Sequence, residues 1–321
     1  MKDSRTDYTR RDAIRLALGV GAGLALAPRH LAALESTLLD WQATDLITKP
    51  IPSTGERIPV IGIGTARRYD VAGSPTEVQP LLDVVRNFTQ LGGKLIDTAP
   101  GYGRAEQIVG GLVAQANNRK QLFLATKVGR GQQSVQAGRA ELDQSLRQLR
   151  VSSVDLMQVH NLGGVNDMLP VLREWKQAGK TRYIGVTCTS KAQYGDLQRV
   201  LRKEQMDFVQ VDYAIDNRDV ERNILPLAQE KGIAVLTALP FGRGRVLSAV
   251  GRKPIPEWAK ELGITTWPQF ALKYIVSHPA VVAAIPGTAK LEYLNDNIGA
   301  ARGTLPDAAT RQKMVAAMEN A

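Results

Sequence analysis

Lys94–Glu106 reads KLIDTAPGYGRAE and contains one complete strand-to-helix transition. Lys94-Leu95-Ile96 is a short β-prone run, Asp97 stands at its end, and Pro100-Gly101 turns the chain. From Ala105 the apolar residues recur at helical spacing. The same unit recurs twice. Leu122–Lys127 (LFLATK) ends in Lys127, and Asp155–His160 (DLMQVH) ends in His160, each with a segment of helical period after it. A carboxylate, an ammonium and an imidazole therefore close three successive apolar runs, with Tyr102 in the loop after the first. No packing argument would gather those four side chains at strand ends.

Outward from this stretch, eight strand candidates alternate with helical segments. The strands are Val60–Thr65, Lys94–Asp97, Leu122–Lys127, Asp155–His160, Tyr183–Thr187, Phe208–Val211, Ala234–Ala238 and Val282–Ile285. Between them, Pro80–Leu91, Ala105–Ala116, Ala137–Leu149, Val165–Ala178, Lys191–Glu204, Val220–Lys231 and Trp267–Ser277 show apolar residues at i, i+3, i+4. Gly92-Gly93, Gly179 and Gly232 stand where helices should end. Eight such units predict an α/β fold, a (β/α)8 TIM barrel. Residues 47–59 (ITKPIPSTGERIP) predict a short N-terminal β-hairpin turning at Ser53-Thr54-Gly55, and Pro306–Ala321 predicts a C-terminal helix. A doubly wound nucleotide-binding sheet is the competing architecture, but GxGxxG follows none of the predicted strands.

Hydrophobic content of 44% and charged content of 22% belong to a globular protein with a sizeable core. The formal net charge is +10, and residues 1–30 contribute three of it through six basic and three acidic side chains. The rest is spread along the chain with no Lys/Arg block and no interleaved aromatics, which argues against nucleic-acid binding. The first thirty residues read as a targeting segment. Arg10-Arg11 precede a twelve-residue apolar run, Leu16–Ala27 (LALGVGAGLALA), too short for a membrane span of ~20 residues and suited to a signal sequence. The pattern resembles a bacterial twin-arginine export signal, which implies the translocation machinery as a partner and a periplasmic destination. An inefficient signal would leave the protein cytoplasmic. The division expected is a signal at 1–30, a connector at 31–46 and the barrel domain at 47–321. Cys188 is the only cysteine, so no intramolecular disulfide forms. His30, His160 and His278 are the only histidines, without an HxH or HxxxH pair, so no metal is expected.

In barrels of this type, chemistry gathers at the C-terminal ends of the strands. A tyrosine's ordinary pKa near ~10 suits it poorly to proton exchange at neutral pH. A neighbouring ammonium stabilises a phenolate, a carboxylate fixes that ammonium, and an imidazole can orient a carbonyl oxygen. Such a set suits proton delivery to a carbonyl oxygen while a hydride reaches its carbon. DTAxxYG at 97–103, ATK at 125–127, DLxxxH at 155–160 and IGVT at 184–187 carry a resemblance. QVDY at 210–213, PFGRG at 240–244 and IPG at 285–287 continue it. From about residue 47 to 302 the chain resembles the aldo-keto reductase superfamily. The resemblance implies NADPH-dependent interconversion of carbonyls and alcohols on a (β/α)8 barrel. It further implies Tyr102 as general acid/base, Lys127 and Asp97 as its tuning pair, and His160 as the residue orienting the carbonyl.

The resemblance also implies a cofactor set. Gly64 and Thr65 end the first strand, and Thr187 and Gln210 would hold the nicotinamide carboxamide. Phe241, Gly242 and Arg243 would close over the pyrophosphate, and Gly287, Thr288 and Asn297 would meet the adenosine end. Four positions depart from the family's pattern. Cys188 stands where many relatives have Asn, and Ala238 where an aromatic ring often stacks on the nicotinamide, with Tyr213 as a candidate substitute or a core residue. Gly287 and Tyr293 stand where Lys or Arg usually grips the 2′-phosphate, leaving Lys290 to supply charge or NADH to be accepted beside NADPH. Glu106 reads either as a cofactor contact or as a charge favoured by the helix N-terminus. A non-catalytic, cofactor-sensing subunit on the same fold is the alternative function. The substrate pocket would be built by loops such as 67–78 and 163–165, whose shapes the sequence does not fix.

Overall fold

The computed structural model describes residues 46–320. The expected export signal at 1–30 and residues 31–45 of the connector lie outside the described residues. The chain enters through an antiparallel hairpin, β1 (Thr48–Pro50) and β2 (Arg57–Pro59). Gly55 closes its turn at φ +77°, a left-handed conformation that glycine adopts without a Cβ clash. The predicted hairpin and turn are both present.

Eight parallel strands follow in sequential order: β3 (Ile63–Gly64), β4 (Leu95–Asp97), β5 (Phe123–Val128), β6 (Val154–Val159), β7 (Thr181–Cys188), β8 (Phe208–Asp212), β9 (Ala234–Ala238) and β10 (Val281–Ala284). Isolated bridges from Ile61 to Ala284 and from Gly64 to Gly287 join the first strand to the last. The predicted (β/α)8 barrel is the observed fold. Each strand alternates its side chains between the barrel interior and the helical layer. Leu95, Phe123, Ala125, Leu156, Tyr183, Phe208 and Leu236 form an inner apolar cluster with Ile51 and Ile58 of the hairpin. Phe123 and Phe208 begin their strands, so the hairpin plugs the N-terminal end of the barrel. The opposite end is left to polar residues.

Among the described residues the helices are α1 (Pro75–Gln90), α2 (Ala105–Ala116), α3 (Val135–Leu149), α4 (Val165–Gln177), α5 (Tyr194–Lys203), α6 (Ile224–Glu230), α7 (Arg245–Val250), α8 (Trp267–Val276), α9 (Leu291–Gly299) and α10 (Ala308–Glu319). Helix α1 begins five residues before the expected Pro80. The Glu77 carboxylate accepts from the Ser74 N–H at 3.0 Å and from its hydroxyl at 2.7 Å, and Pro75 supplies the first-turn proline. Pro80 consequently lies inside the helix. The segment expected at Val220–Lys231 is a short 3-10 turn, Asp219–Glu221, followed by the shorter α6.

The C-terminal helix is present and is locked to the wall. Asp307 caps it by accepting from the Thr310 N–H at 2.8 Å. Arg311 pairs with Glu221 at 2.8 Å and donates to the Tyr213 hydroxyl at 2.8 Å. Lys273 of α8, fully buried, donates to the carbonyls of Leu262, Arg302 and Thr304, fastening the chain between α9 and α10. Among the described residues no helix is long and apolar enough to cross a membrane.

Candidate active site

Asp97 ends β4, Lys127 is the last residue but one of β5, and His160 directly follows β6, three neighbouring strands in the sheet. Lys127 follows Phe123 and Ala125 on the inward face of β5, so its side chain points into the polar end of the barrel. It is buried, and its Nζ donates to Asp97 Oδ2 at 2.7 Å and to the Thr98 carbonyl at 2.9 Å. Tyr102 sits in the β4–α2 loop with its ring centroid 4.9 Å from that ammonium. The His160 ring meets the Tyr102 ring edge-on, centroids 5.8 Å apart. All four predicted catalytic residues are thus brought together.

Burial pushes the Asp97 carboxyl up, and Lys127 opposes this by charge and hydrogen bond, with weaker support from the amides of Gln158 and Gln210. Burial works against the Lys127 ammonium, but Asp97 and Tyr102 together outweigh it and hold Lys127 above its ordinary value. The Lys127 charge is therefore kept by its contacts with Asp97 and Tyr102. His160 behaves in the opposite way. Burial, and then the Lys127 charge, lower it to about 4, so the imidazole is neutral and can donate one N–H. Asn161 and Leu162, directly after it, hold left-handed backbone at φ +49° and +59°. For Leu162 this costs roughly 1–2 kcal/mol, strain stored beside the site.

Gln158 is a site residue that the sequence reading missed. It is buried on β6 and donates from Nε2 to Gln210 Oε1 at 3.0 Å. The signal was available, since Gln158 precedes His160 by two residues on the same face of the strand. Thr187 is buried near them, its hydroxyl oxygen accepting from the Asn161 N–H at 2.9 Å. The Thr187 hydroxyl keeps a proton to donate at this end of the barrel, while the Gln210 amide is shared between Gln158 and Asp97. Cys188, next along β7, falls on the other face and belongs to the layer between sheet and helices.

The remaining predicted cofactor residues ring the mouth. Gly64 is closely approached: a Cβ there would lie 2.7 Å from the Ile285 carbonyl oxygen. Thr65 donates to the Asp97 carbonyl at 3.0 Å. Asn297 donates to the Thr288 hydroxyl at 3.0 Å, and Tyr69 to the Thr288 carbonyl at 3.1 Å, so the loops after β3 and β10 are joined. In the loop after β9, Gly242, Arg243 and Gly244 are all left-handed. The N–H groups of Gly242 and Gly244 bond within the loop, to Leu239 and Phe241, and Arg243 between them is exposed. Phe241 packs against the outer core. Lys290 stands 3.6 Å from Glu292 and over the exposed Tyr293 ring.

Two readings left open by the sequence are decided here, Tyr213 as a core residue and Glu106 as an acid in the first turn of α2. Tyr213 is fully buried against Glu221, Tyr274 and Arg311, so it is a core residue and not a stacking platform. Glu106 neither faces the barrel mouth nor sits at the surface. It is buried, accepting from the Thr126 hydroxyl at 2.6 Å and from the Ser145 hydroxyl at 3.2 Å.

Comparison with known proteins agrees with this geometry. A family model described as "Aldo/keto reductase family" matches residues 60–313. The aldo-keto reductase yakc [NADP(+)] of Schizosaccharomyces pombe is 25% identical over 303 residues, covering 80% of this chain and 88% of the relative. L-galactose dehydrogenase of Arabidopsis thaliana is 25% identical over 291 residues, covering 80% and 88%. Among solved structures, an aldo-keto reductase from Klebsiella pneumoniae in complex with NADPH superimposes with a TM-score of 0.71 at 23% identity, covering 85% of this chain and 95% of that one, which speaks for a common fold.

Proposed function

Because the chain belongs to the aldo/keto reductase family, we propose that it interconverts carbonyls and alcohols with NADPH, Tyr102 acting as the general acid/base. The observation that carries this reading is the Tyr102 ring over a Lys127 ammonium that Asp97 holds at 2.7 Å, with His160 edge-on beside it. NADPH, when bound, supplies the hydride to the carbonyl carbon. Tyr102 gives its hydroxyl proton to the carbonyl oxygen, and the phenolate left behind faces the Lys127 ammonium, which stabilises it. Neutral His160 donates an N–H to the same oxygen and orients it. Alcohol oxidation runs these proton movements in reverse.

The residues at the barrel mouth fit the cofactor. A carboxamide needs both donors and acceptors, and the Thr187 hydroxyl offers a donor there, beside Gln210 on the adjoining strand. Arg243 supplies charge for the pyrophosphate, and Lys290, although shared with Glu292, for the 2′-phosphate. NADPH is further supported by the NADP(+) in the name of the yeast relative and by the NADPH held in the bacterial structure. Tyr102→Phe is expected to abolish NADPH oxidation with a reactive aldehyde, by about 10²-fold or more, while NADPH binding followed by fluorescence stays intact. A native protein without turnover over a broad carbonyl panel, with NADPH and with NADH, would overturn the proposal.

The order of residues 1–30, paired arginines before an apolar run, supports export by the twin-arginine route. Such a protein would leave the cytosol folded, with its dinucleotide already held. Dinucleotide recovered with the protein from periplasmic fractions is the expected result. Apo protein with rapidly exchanging NADPH would contradict it.

A further inference from the structure

Two buried carboxyls that the proposed chemistry does not use stand behind β5. Glu106, second residue of α2, accepts the Thr126 hydroxyl on Oε1 at 2.6 Å and the Ser145 hydroxyl on Oε2 at 3.2 Å. Glu141 of α3 accepts the N–H groups of Gly129 and Arg130 on Oε2, at 2.6 and 2.8 Å. Ser145 and Glu141 lie one turn apart on the same helix. The two carboxyls thus hold the residue just before Lys127 and the pair just after Val128. Side chains alternate along a strand, so fixing Thr126 toward the helices fixes Lys127 toward the barrel.

The same bracket reaches the other partners of the proton relay. Glu106 is four residues from Tyr102, and the Ala105 N–H bonds the Tyr102 carbonyl at 3.2 Å, so Glu106 ties the loop carrying Tyr102 to the strand carrying Lys127. Gly129 lies against His160, where a Cβ would be 4.0 Å from Nδ1. A buried carboxyl is costly unless its bonds are needed, and burial pushes Glu106 up to about 7. Simple helix–strand packing would be served by apolar side chains.

We propose that Glu106, with Glu141, is a positioning residue that sets the Tyr102–Lys127 geometry through Thr126. The inference rests on the carbonyl-reductase reading and extends it to residues outside the reacting centre. Thr126→Val keeps the side-chain shape and removes the donor to Glu106. In the full-length protein this variant is expected to lose kcat about tenfold or more, because small misplacements of catalytic groups are costly, while its NADPH dissociation constant changes by less than about twofold. The pH profile of kcat should shift with it, and Thr126→Ser should restore both. If Thr126→Val does not fold, Ser145→Ala should give the same selective loss, about threefold, at the second hydroxyl.

A kcat within about twofold of native in these variants overturns the bracket. So does a loss of kcat that parallels a loss of NADPH affinity and is not restored by serine. A native protein that binds NADPH but turns over no carbonyl overturns the reductase reading itself, and the bracket with it.

Discussion

His160 and Glu106 both stand close to Lys127, one just past the neighbouring strand β6 and the other bonded to the adjacent Thr126, and burial treats them in opposite senses. His160 is lowered to about 4, so it stays neutral across the range in which the protein would work. The pH profile of carbonyl reduction between pH 5 and 8 should therefore carry no His160 inflection, and His160→Gln should lower kcat/KM about 10²-fold without moving the profile. Glu106 is raised from 4.5 to about 7. Below pH 4.5 both folded and unfolded chains hold this proton; between 4.5 and 7 only the folded chain does, so the stability it confers is lost as pH rises through that window. Up to about 3 kcal/mol is involved, and Glu106→Gln should flatten the difference between urea midpoints at pH 5 and pH 8. Asp97, Lys127 and His160 were legible in the sequence because each ends a short apolar run. The burial of Glu106 was not, because it depends on Thr126 and Ser145 arriving from two other elements. Gln158 lay within reach of the period-2 reading and was hidden only by its more conspicuous neighbour.

Elements declared themselves where their ends carry local chemistry and misled where a proline had two readings. Pro80 resembles a helix start, but Ser74 and Glu77 supply a stronger one upstream, and tertiary packing of α1 tolerates the lost N–H. Helix α6 is shortened by the 3-10 turn that delivers Glu221 to Arg311, a contact with no local signal in the sequence. Tyr213 was ambiguous for the same reason, since its partners are a loop and a distant helix. Lys273 shows how much one such element contact carries. Its ammonium serves three carbonyls and no carboxylate, and burial lowers it to about 8. Lys273→Met should strand those carbonyls and cost on the order of 3 kcal/mol, measurable as a lower urea midpoint.

At the scale of the whole barrel, stability and chemistry occupy opposite ends. The hairpin end is apolar, with Glu56 accepting from the Tyr183 hydroxyl at 2.6 Å at its rim, and the relay end is polar. Ile58→Ala should cost about 2–5 kcal/mol in denaturant unfolding and leave kcat within about twofold. The wall between these ends is uneven. Central strands pair over four or five residues, whereas β3 offers only Ile63 and Gly64 to β4 and meets the last strand through isolated bridges. Gly62, Gly64 and Ala284 supply the N–H groups that sew this junction, to Ala284, Pro286 and Val60. Their amide protons should exchange with deuterated solvent sooner than those of β6 and β7. Gly64 and Gly287, one on each lip, belong to the loops assigned to the dinucleotide. Occupancy would act as a stitch across the junction, so slowed exchange at those three amides would report a bound dinucleotide without a single turnover.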